Sequence, residues 1–250
     1  VNKEGAMRIK IINPNTTQSF TDALQRLADS VARPDTEILA VSPASGPDSI
    51  ESFYDEALAV PGLLAEIARG DSEQQIDAYV LACFGDPGLY AARELTDKPV
   101  LGIAEAAFHL ATMIGACFSV VTTAPRVRFM TEHLVGRYGF GEQCKKVRTT
   151  SMAVLDLAHS PEAAIAKVIA ECLRAREEDK AEAIVLGCAG MSQYRERIER
   201  EIGMPVIDGT LAAVKLCEAM VDMRLGTSKV LTFGWPRSGV FGPGGERRIA

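Results

Sequence analysis

Two short segments of the chain each place a cysteine between an apolar run and a glycine: Tyr79-Val80-Leu81-Ala82-Cys83-Phe84-Gly85 and Ile184-Val185-Leu186-Gly187-Cys188-Ala189-Gly190. A cysteine that ends a strand before a glycine-containing turn sits near the N-terminus of the next helix. Unpaired N–H groups and the helix dipole there favour negative charge, so both thiols are expected to be acidified, towards a pKa of about 3.5–7.5. Gly85, Gly88 and Gly190 lack the Cβ that would hold a ligand away from the backbone, and the same N–H groups can hold an oxyanion developing on a carbonyl. Two thiols opposed across a cleft suit proton transfer at a carbon next to a carbonyl. One thiolate removes the proton, backbone donors hold the planar enolate, and the second thiol returns a proton from the other face. That is two-base racemisation or epimerisation without a cofactor. Each sulfur must come within roughly 3–3.5 Å of the carbon from its own side, which calls for separate supports. The resting pair is expected to share one proton and to titrate as a coupled unit.

The elements that must position the two cysteines follow from the hydropathy pattern. Short β-branched runs at 8–12, 37–41, 78–82, 100–103, 117–122, 148–154, 183–186 and 205–207 alternate with helix-period stretches. Thr16 and Thr17 cap a helix to about Val31 with Phe20, Leu24, Leu27 and Ala28 on one face, and 49–69 reads as mostly helical. Strands alternating with helices imply parallel βαβ units and an α/β fold. An internal repeat sharpens this. Tyr79 and Ile184 begin segments offset by 105 residues, Lys98-Pro99-Val100-Leu101-Gly102 matches Met204-Pro205-Val206-Ile207-Asp208, and Ile11–Thr17 faces Val120–Pro125. The pattern predicts two pseudo-symmetric lobes, each a parallel sheet flanked by helices, with the active site in the interlobe cleft beyond the strand ends. Residues 7–103 plus 214–235 are assigned to the first lobe, 104–213 to the second and 236–250 to a C-terminal tail. Residues 1–6, polar and followed by Met7, read as a non-native or disordered leader.

Composition narrows the function classes. The 250 residues are 47% hydrophobic and 24% charged, and 27 Lys+Arg against 33 Asp+Glu give a net charge of −6. That balance suits an ordinary globular protein and argues against nucleic acid or an anionic membrane surface as a partner. Six cysteines and three histidines include no C-x-x-C pair and no His-x-x-x-His, so no metal site is expected. A chain of this length with apolar residues enough for a core does not need a disulfide framework. No apolar stretch approaches the roughly 20 residues of a membrane span, and the expected location is the cytoplasm. Gly242-Pro243-Gly244-Gly245 is not a phosphate loop, since no strand and helix flank it.

Four segments together resemble the hydantoin/allantoin racemase branch of the aspartate/glutamate racemase superfamily: Asn13-Pro14-Asn15-Thr16-Thr17, Gly46–Ser52, Ala82–Gly88 and Leu186–Met191. The likeness runs from about Met7 to Leu225. It implies that Cys83 and Cys188 are the catalytic acid/bases, and that Asn15, Phe84, Gly85, Thr122, Thr123, Ala189 and Gly190 line a small cyclic ureide substrate. It also implies a cofactor-independent enzyme, commonly a homo-oligomer. Amino-acid racemases of the superfamily follow the first cysteine with polar Asn and Thr; Phe84 and Gly85 stand here instead and suit an uncharged ring. Arylmalonate decarboxylases keep only the second cysteine, so the presence of Cys83 weighs against that reaction, whereas maleate isomerases keep both.

Each feature also has a plainer reading. Asn13-Pro14-Asn15 could be only a strand-ending turn, and Thr122 and Thr123 could only cap a helix. Asp86 is either a first-turn acid or an acceptor for ring or ureido N–H groups. Cys117, Cys172 and Cys217 read as core, and Cys144 as an exposed loop thiol. The alternatives to a hydantoin or allantoin racemase are a maleate-type isomerase, an arylmalonate-type decarboxylase, and a non-catalytic small-molecule binding or thiol-sensing protein.

Overall fold

The computed structural model describes residues 6–153, 156–159 and 161–236; the leader up to residue 5 and the tail from 237 lie outside the described residues, as does Val154. The first half of the chain forms Met7–Ile12 (β1), Gln18–Val31 (α1), Thr36–Val41 (β2), Phe53–Arg69 (α2), Ala78–Leu81 (β3), Leu89–Leu95 (α3), Val100–Gly102 (β4) and Ile103–Ile114 (α4). The second half forms Phe118–Thr122 (β5), Val127–Arg137 (α5), Cys144–Thr149 (β6), Asp156–His159 (α6), Pro161–Glu178 (α7), Ala183–Leu186 (β7), Arg195–Ile202 (α8), Val206–Asp208 (β8) and Gly209–Asp222 (α9). The strands make two four-stranded sheets, ordered β2-β1-β3-β4 and β6-β5-β7-β8, parallel throughout. The fold is α/β, and one strand order occurs twice, with β1, β2, β3 and β4 answered by β5, β6, β7 and β8.

Two boundaries move from the sequence reading. The sixth strand begins at Cys144 rather than Arg148 and so includes the cysteine assigned to a loop. It is an edge strand with Val147 as its one buried aliphatic residue, so hydropathy does not mark its start. The second helix begins at Phe53 rather than Ser49, because Ser52 accepts from Asp55 N at 3.1 Å and the Asp55 carboxylate accepts from Glu51 N at 3.1 Å. This is a reciprocal cap that stops the helix from extending further back.

Strand residues alternate between two apolar layers, as the period of two requires. Ile9, Ile11, Val80, Phe118, Val120 and Val185 face a shared central core. Ile12, Tyr79 and Leu81 pack outward under α2 and α3, and Val121, Ile184 and Leu186 under α7 and α8. The central core also takes residues of α1, α4, α5 and α9. The helix that leaves β4, α4, packs on β7 and β8; the helix that leaves β8, α9, packs on β3 and β4. Each sheet is thus backed by the other's last helix. The far end of α2 is held by Lys10, fully buried in β1, whose Nζ donates to the Glu66 carbonyl at 2.8 Å and pairs with the Glu66 carboxylate at 2.8 Å.

The starts of α4 and α9 meet. A Cβ on Gly209 would strike the Ile103 carbonyl, so the two backbones touch. Each start is capped by a buried acid, supplied in opposite ways. In the first sheet Asp86, from the turn after Cys83, accepts from Ala104 N at 3.1 Å, Glu105 N at 2.9 Å and the Tyr138 hydroxyl at 2.9 Å. Its carboxyl fills the space that a side chain on Gly102 would occupy. In the second sheet the position matched to Gly102 is Asp208, which caps α9 through Leu211 N at 2.9 Å and takes a hydrogen bond from Ser192, in the turn after Cys188. Asp86→Ala leaves three buried donors without a partner. Urea unfolding is expected to show a loss of roughly 3 kcal/mol with an unchanged m-value, and a loss under 1 kcal/mol would remove the capping role.

Candidate active site

In both sheets the strand order reverses between the two central strands, and the loops after those strands diverge to leave a crevice. The two crevices face one cavity, about 110 Å³ in volume. β1 and β3 deliver Asn15 and Cys83-Phe84-Gly85 to it; β5 and β7 deliver Thr122-Thr123 and Cys188-Ala189-Gly190. Phe20, Leu24 and Leu27 of α1 with Val127 and Met130 of α5 make an apolar wall. Among the described residues, no group of three or more His, Cys, Asp or Glu is placed to hold a metal, and no helix is long and apolar enough to cross a membrane.

Cys188 stands at the N-cap of the short helix Ala189–Tyr194, whereas five residues of turn separate Cys83 from α3. Both residues keep some surface open, and all six cysteines are free thiols. The expected acidification does not occur. Burial pushes the Cys83 thiol up to about 12, against the opposing hydrogen bond from Gly85 N–H, and the Glu56 carboxylate and the Cys188 sulfur add to the rise. Burial pushes Cys188 up to about 11, against N–H groups of Gly190 and Met191. One or two backbone donors do not offset the lost hydration of a sulfur anion. The free cleft therefore holds two neutral thiols, not a pair sharing one proton.

The remaining residues divide by how their polar atoms are engaged. Asn15 Oδ1 accepts from Asn13 Nδ2 at 3.0 Å and Thr17 N at 2.9 Å, so its amide NH₂ is turned away from the loop without a partner among the described residues. Thr122 spends its hydroxyl on the Gly187 carbonyl at 2.8 Å, and Gly187 is where a Cβ would overlap Thr122. Thr123 anchors its loop through its carbonyl, which accepts from Thr150 N at 3.0 Å and Ser151 N at 3.2 Å. Its own hydroxyl makes no hydrogen bond to a described residue. Phe84 lines the cavity, but its ring enters the core edge-on to Phe108, 5.6 Å between centroids. A methyl group on Gly190 would stand 3.0 Å from Leu157 Cδ1, which would have to shift, and in ordinary contact with the Cys188 sulfur at 3.6 Å.

Asp86 requires a correction. It is 3% exposed, is not among the cavity-lining residues, and has both oxygens engaged in capping α4. Of the two sequence readings, helix-end acid and substrate acceptor, the structure supports the first, although the helix is α4 rather than the α3 that follows it in the chain. Sequence reasoning also passed over Glu56, in the first turn of α2, which lines the cavity over Gly85. Burial first, then the Asp86 charge, raise its carboxyl to about 7 against the pull of Arg137. The motif around 46–52 pointed to this region, yet nothing local in the chain distinguishes Glu56 from its neighbour Asp55.

Comparison with known proteins adds four findings. Residues 9–217 match the family model Asp/Glu/Hydantoin racemase. The chain is 54% identical over 230 residues to a hydantoin racemase of Pseudomonas sp. (strain NS671), covering 92% of each. It is 48% identical to a hydantoin racemase of Rhizobium meliloti over 92% of this chain and 95% of that one. Among solved structures it superposes on the allantoin racemase from Klebsiella pneumoniae with a TM-score of 0.91 at 47% identity, covering 93% of this chain and 95% of that one.

The raised thiols make a reactivity statement. At pH 7.5, iodoacetamide is expected to label Cys83 and Cys188 at least about tenfold more slowly than a cysteine in an unstructured peptide, since so little of either is thiolate. Mass-spectrometric mapping reads this directly. Rapid labelling of either residue at neutral pH would show an acidified thiol after all.

Proposed function

The chain belongs to the Asp/Glu/Hydantoin racemase family, and from that premise we propose that it racemises 5-substituted hydantoins or allantoin, with Cys83 and Cys188 exchanging the ring-carbon proton from opposite faces. The observation that carries this reading is that equivalent strand ends of two like sheets bring one thiol each to a single cavity. A proton on the carbon beside the ring carbonyl is acidic only insofar as the enolate is held. The Gly85 and Gly190 N–H groups that now face the sulfurs lie within reach of that task, as do the Asn15 amide and Thr123 hydroxyl.

A neutral resting cleft supports an uncharged substrate. A thiol must first ionise, and a ring that displaces water while adding its own N–H donors lowers the cost of the thiolate it meets. A dianionic maleate or arylmalonate would raise that cost instead. The two thiols supply both proton-transfer groups, so the reaction asks for no cofactor. The relatives' names, hydantoin racemase and allantoin racemase, support the cyclic ureide class. Free thiols suit a reducing, cytoplasmic setting. Exposed Phe53, Tyr54 and Leu58 of α2 beside Phe129 of α5 supply an apolar surface consistent with a homo-oligomer.

Either enantiomer incubated in deuterated water is expected to lose optical rotation while gaining deuterium at the ring carbon. Cys83→Ser and Cys188→Ser are each expected to lose racemisation by about 10²–10⁴-fold. Each variant should still exchange deuterium into one enantiomer only, the opposite one in the two cases. Full racemisation by both variants would exclude the two-base reading, and turnover of maleate or an arylmalonate without hydantoin racemisation would replace it.

A further inference from the structure

Resting on the cyclic-ureide reading, we propose that Glu56 determines specificity for neutral ureides: as a carboxylic acid it donates its O–H to a substrate carbonyl and accepts from the adjacent N–H.

Unlike the buried acids of the described residues, the half-buried Glu56 has no hydrogen-bond or ion-pair partner. Asp86 takes three hydrogen bonds, and Asp208 is bonded to Ser192 and Leu211 N. Glu66 pairs with Lys10 and Arg69, Glu218 with Lys215 and the Arg33 N–H, and Glu105 with Arg93. The Glu56 side chain makes no hydrogen bond or ion pair among the described residues. Arg137, the nearest balancing charge, lies over the Tyr90 ring at 4.0 Å instead. Removing a polar group from water without a partner is costly. Here the half-buried carboxyl faces the cavity that holds both thiols, so a ligand that displaces water from the cavity is placed to become its partner.

Its position is fixed rather than incidental. The Ser52–Asp55 cap sets the first turn of α2, and Lys10 pins the helix's last turn. The carboxyl seats directly on Gly85, where any Cβ would strike it. Gly85 N–H faces the Cys83 sulfur, so a group held by Glu56 lies beside the carbon that Cys83 must reach. The charges around it are Asp86 from the loop after β3 and Arg137 from α5, and the Cys83 thiol beside it is neutral. Burial first, then the Asp86 charge, disfavour its ionised form against the pull of Arg137, and the carboxyl reaches about 7 and is substantially protonated near neutrality. A protonated carboxyl offers one donor and one acceptor side by side, the complement of the N–H and C=O edge of a ureide. A substrate carboxylate would instead bring like charge to this wall. Glu56 would therefore separate ureides from the dicarboxylates and amino acids that a bare cysteine pair could also accept.

The probe is 5,5-dimethylhydantoin, which has no proton on the ring carbon and so binds without turnover, with phenylmalonate as the anionic counterpart. Calorimetric titration of the whole protein reads the Kd at pH 6 and pH 8.5. For the unsubstituted protein, hydantoin affinity is expected to fall about tenfold as pH rises through 7, because the raised carboxyl loses its donor proton above that value. Glu56→Gln keeps a donor and an acceptor, and is expected to bind within about threefold of the parent at pH 6 and to lose the pH dependence. A change from the probe's own ionisation would persist in that variant and is thereby subtracted. Glu56→Leu is expected to weaken binding at least tenfold at pH 6, and both variants to accept phenylmalonate more readily. A Glu56→Leu affinity within twofold of the parent, a pH-independent parent, or no hydantoin binding by the parent at all would overturn the proposal. Because binding is read without catalysis, racemisation could fail with this result intact, and this result could fail with racemisation intact.

Discussion

The two halves of the cleft are joined where the first residues of α4 and α9 touch backbone to backbone, at Ile103 and Gly209. Two helix starts converging at one place bring together two sets of unpaired N–H groups and two positive dipole ends. That arrangement is stable only if each end is met by a buried acceptor, and Asp86 and Asp208 are those acceptors. Both acids are bonded to the turns that carry the thiols, Asp86 as a member of the turn after Cys83 and Asp208 through Ser192 after Cys188. A shift in either cap would therefore move a thiol-bearing turn. Folding of the central layer and placement of the cysteines are one requirement, not two.

The same caps explain the electrostatics. Helix N-termini can acidify a nearby cysteine, but the starts of α4 and α9 are met by Asp86 and Asp208 rather than by the sulfurs. What remains at Cys83 and Cys188 is burial opposed by local N–H groups, and burial prevails. The cleft is left with two neutral thiols, an apolar side along α1 and α5, and polar atoms that no other described residue engages: the Asn15 amide, the Thr123 hydroxyl and the Glu56 carboxyl. Such a site favours a ligand that is itself neutral and rich in paired N–H and C=O groups.

How much of this the chain discloses depends on the range of the interaction. The apolar runs of β3 and β7, the glycines after each cysteine and the offset of 105 between Tyr79 and Ile184 are local features, and they led directly to the sheets and to both thiols. The Asn15 and Thr123 loops were legible through the same repeat. Asp86 was not, because its partner helix starts at a strand end 16 residues further along, and because Gly102 must be bare for its carboxyl to fit. The thiol acidity was misread because a strand end before a glycine turn is local, whereas the burial that raises both sulfurs is set by the packing of the two sheets. Glu56 could not be found locally at all, since its distinction is the absence of a partner, which only the folded packing defines.

The repeat is strict where chemistry treats two faces alike and is broken elsewhere. Enantiomers have equal free energies, so a catalyst interconverting them must have equal kcat/KM in the two directions. Near-equivalent bases delivered by equivalent strands meet that condition economically, and the sheets agree in strand order and in where each cysteine falls. A ring bearing its carbonyl on one side and its substituent on the other is not symmetric, and the walls need not be. Phe84 answers Ala189, Gly102 answers Asp208, and Glu56 stands on the Cys83 side of the cavity. The asymmetry of the walls can then hold one ring orientation while the proton crosses, so that inversion changes the face of a single carbon and leaves the remaining contacts in place.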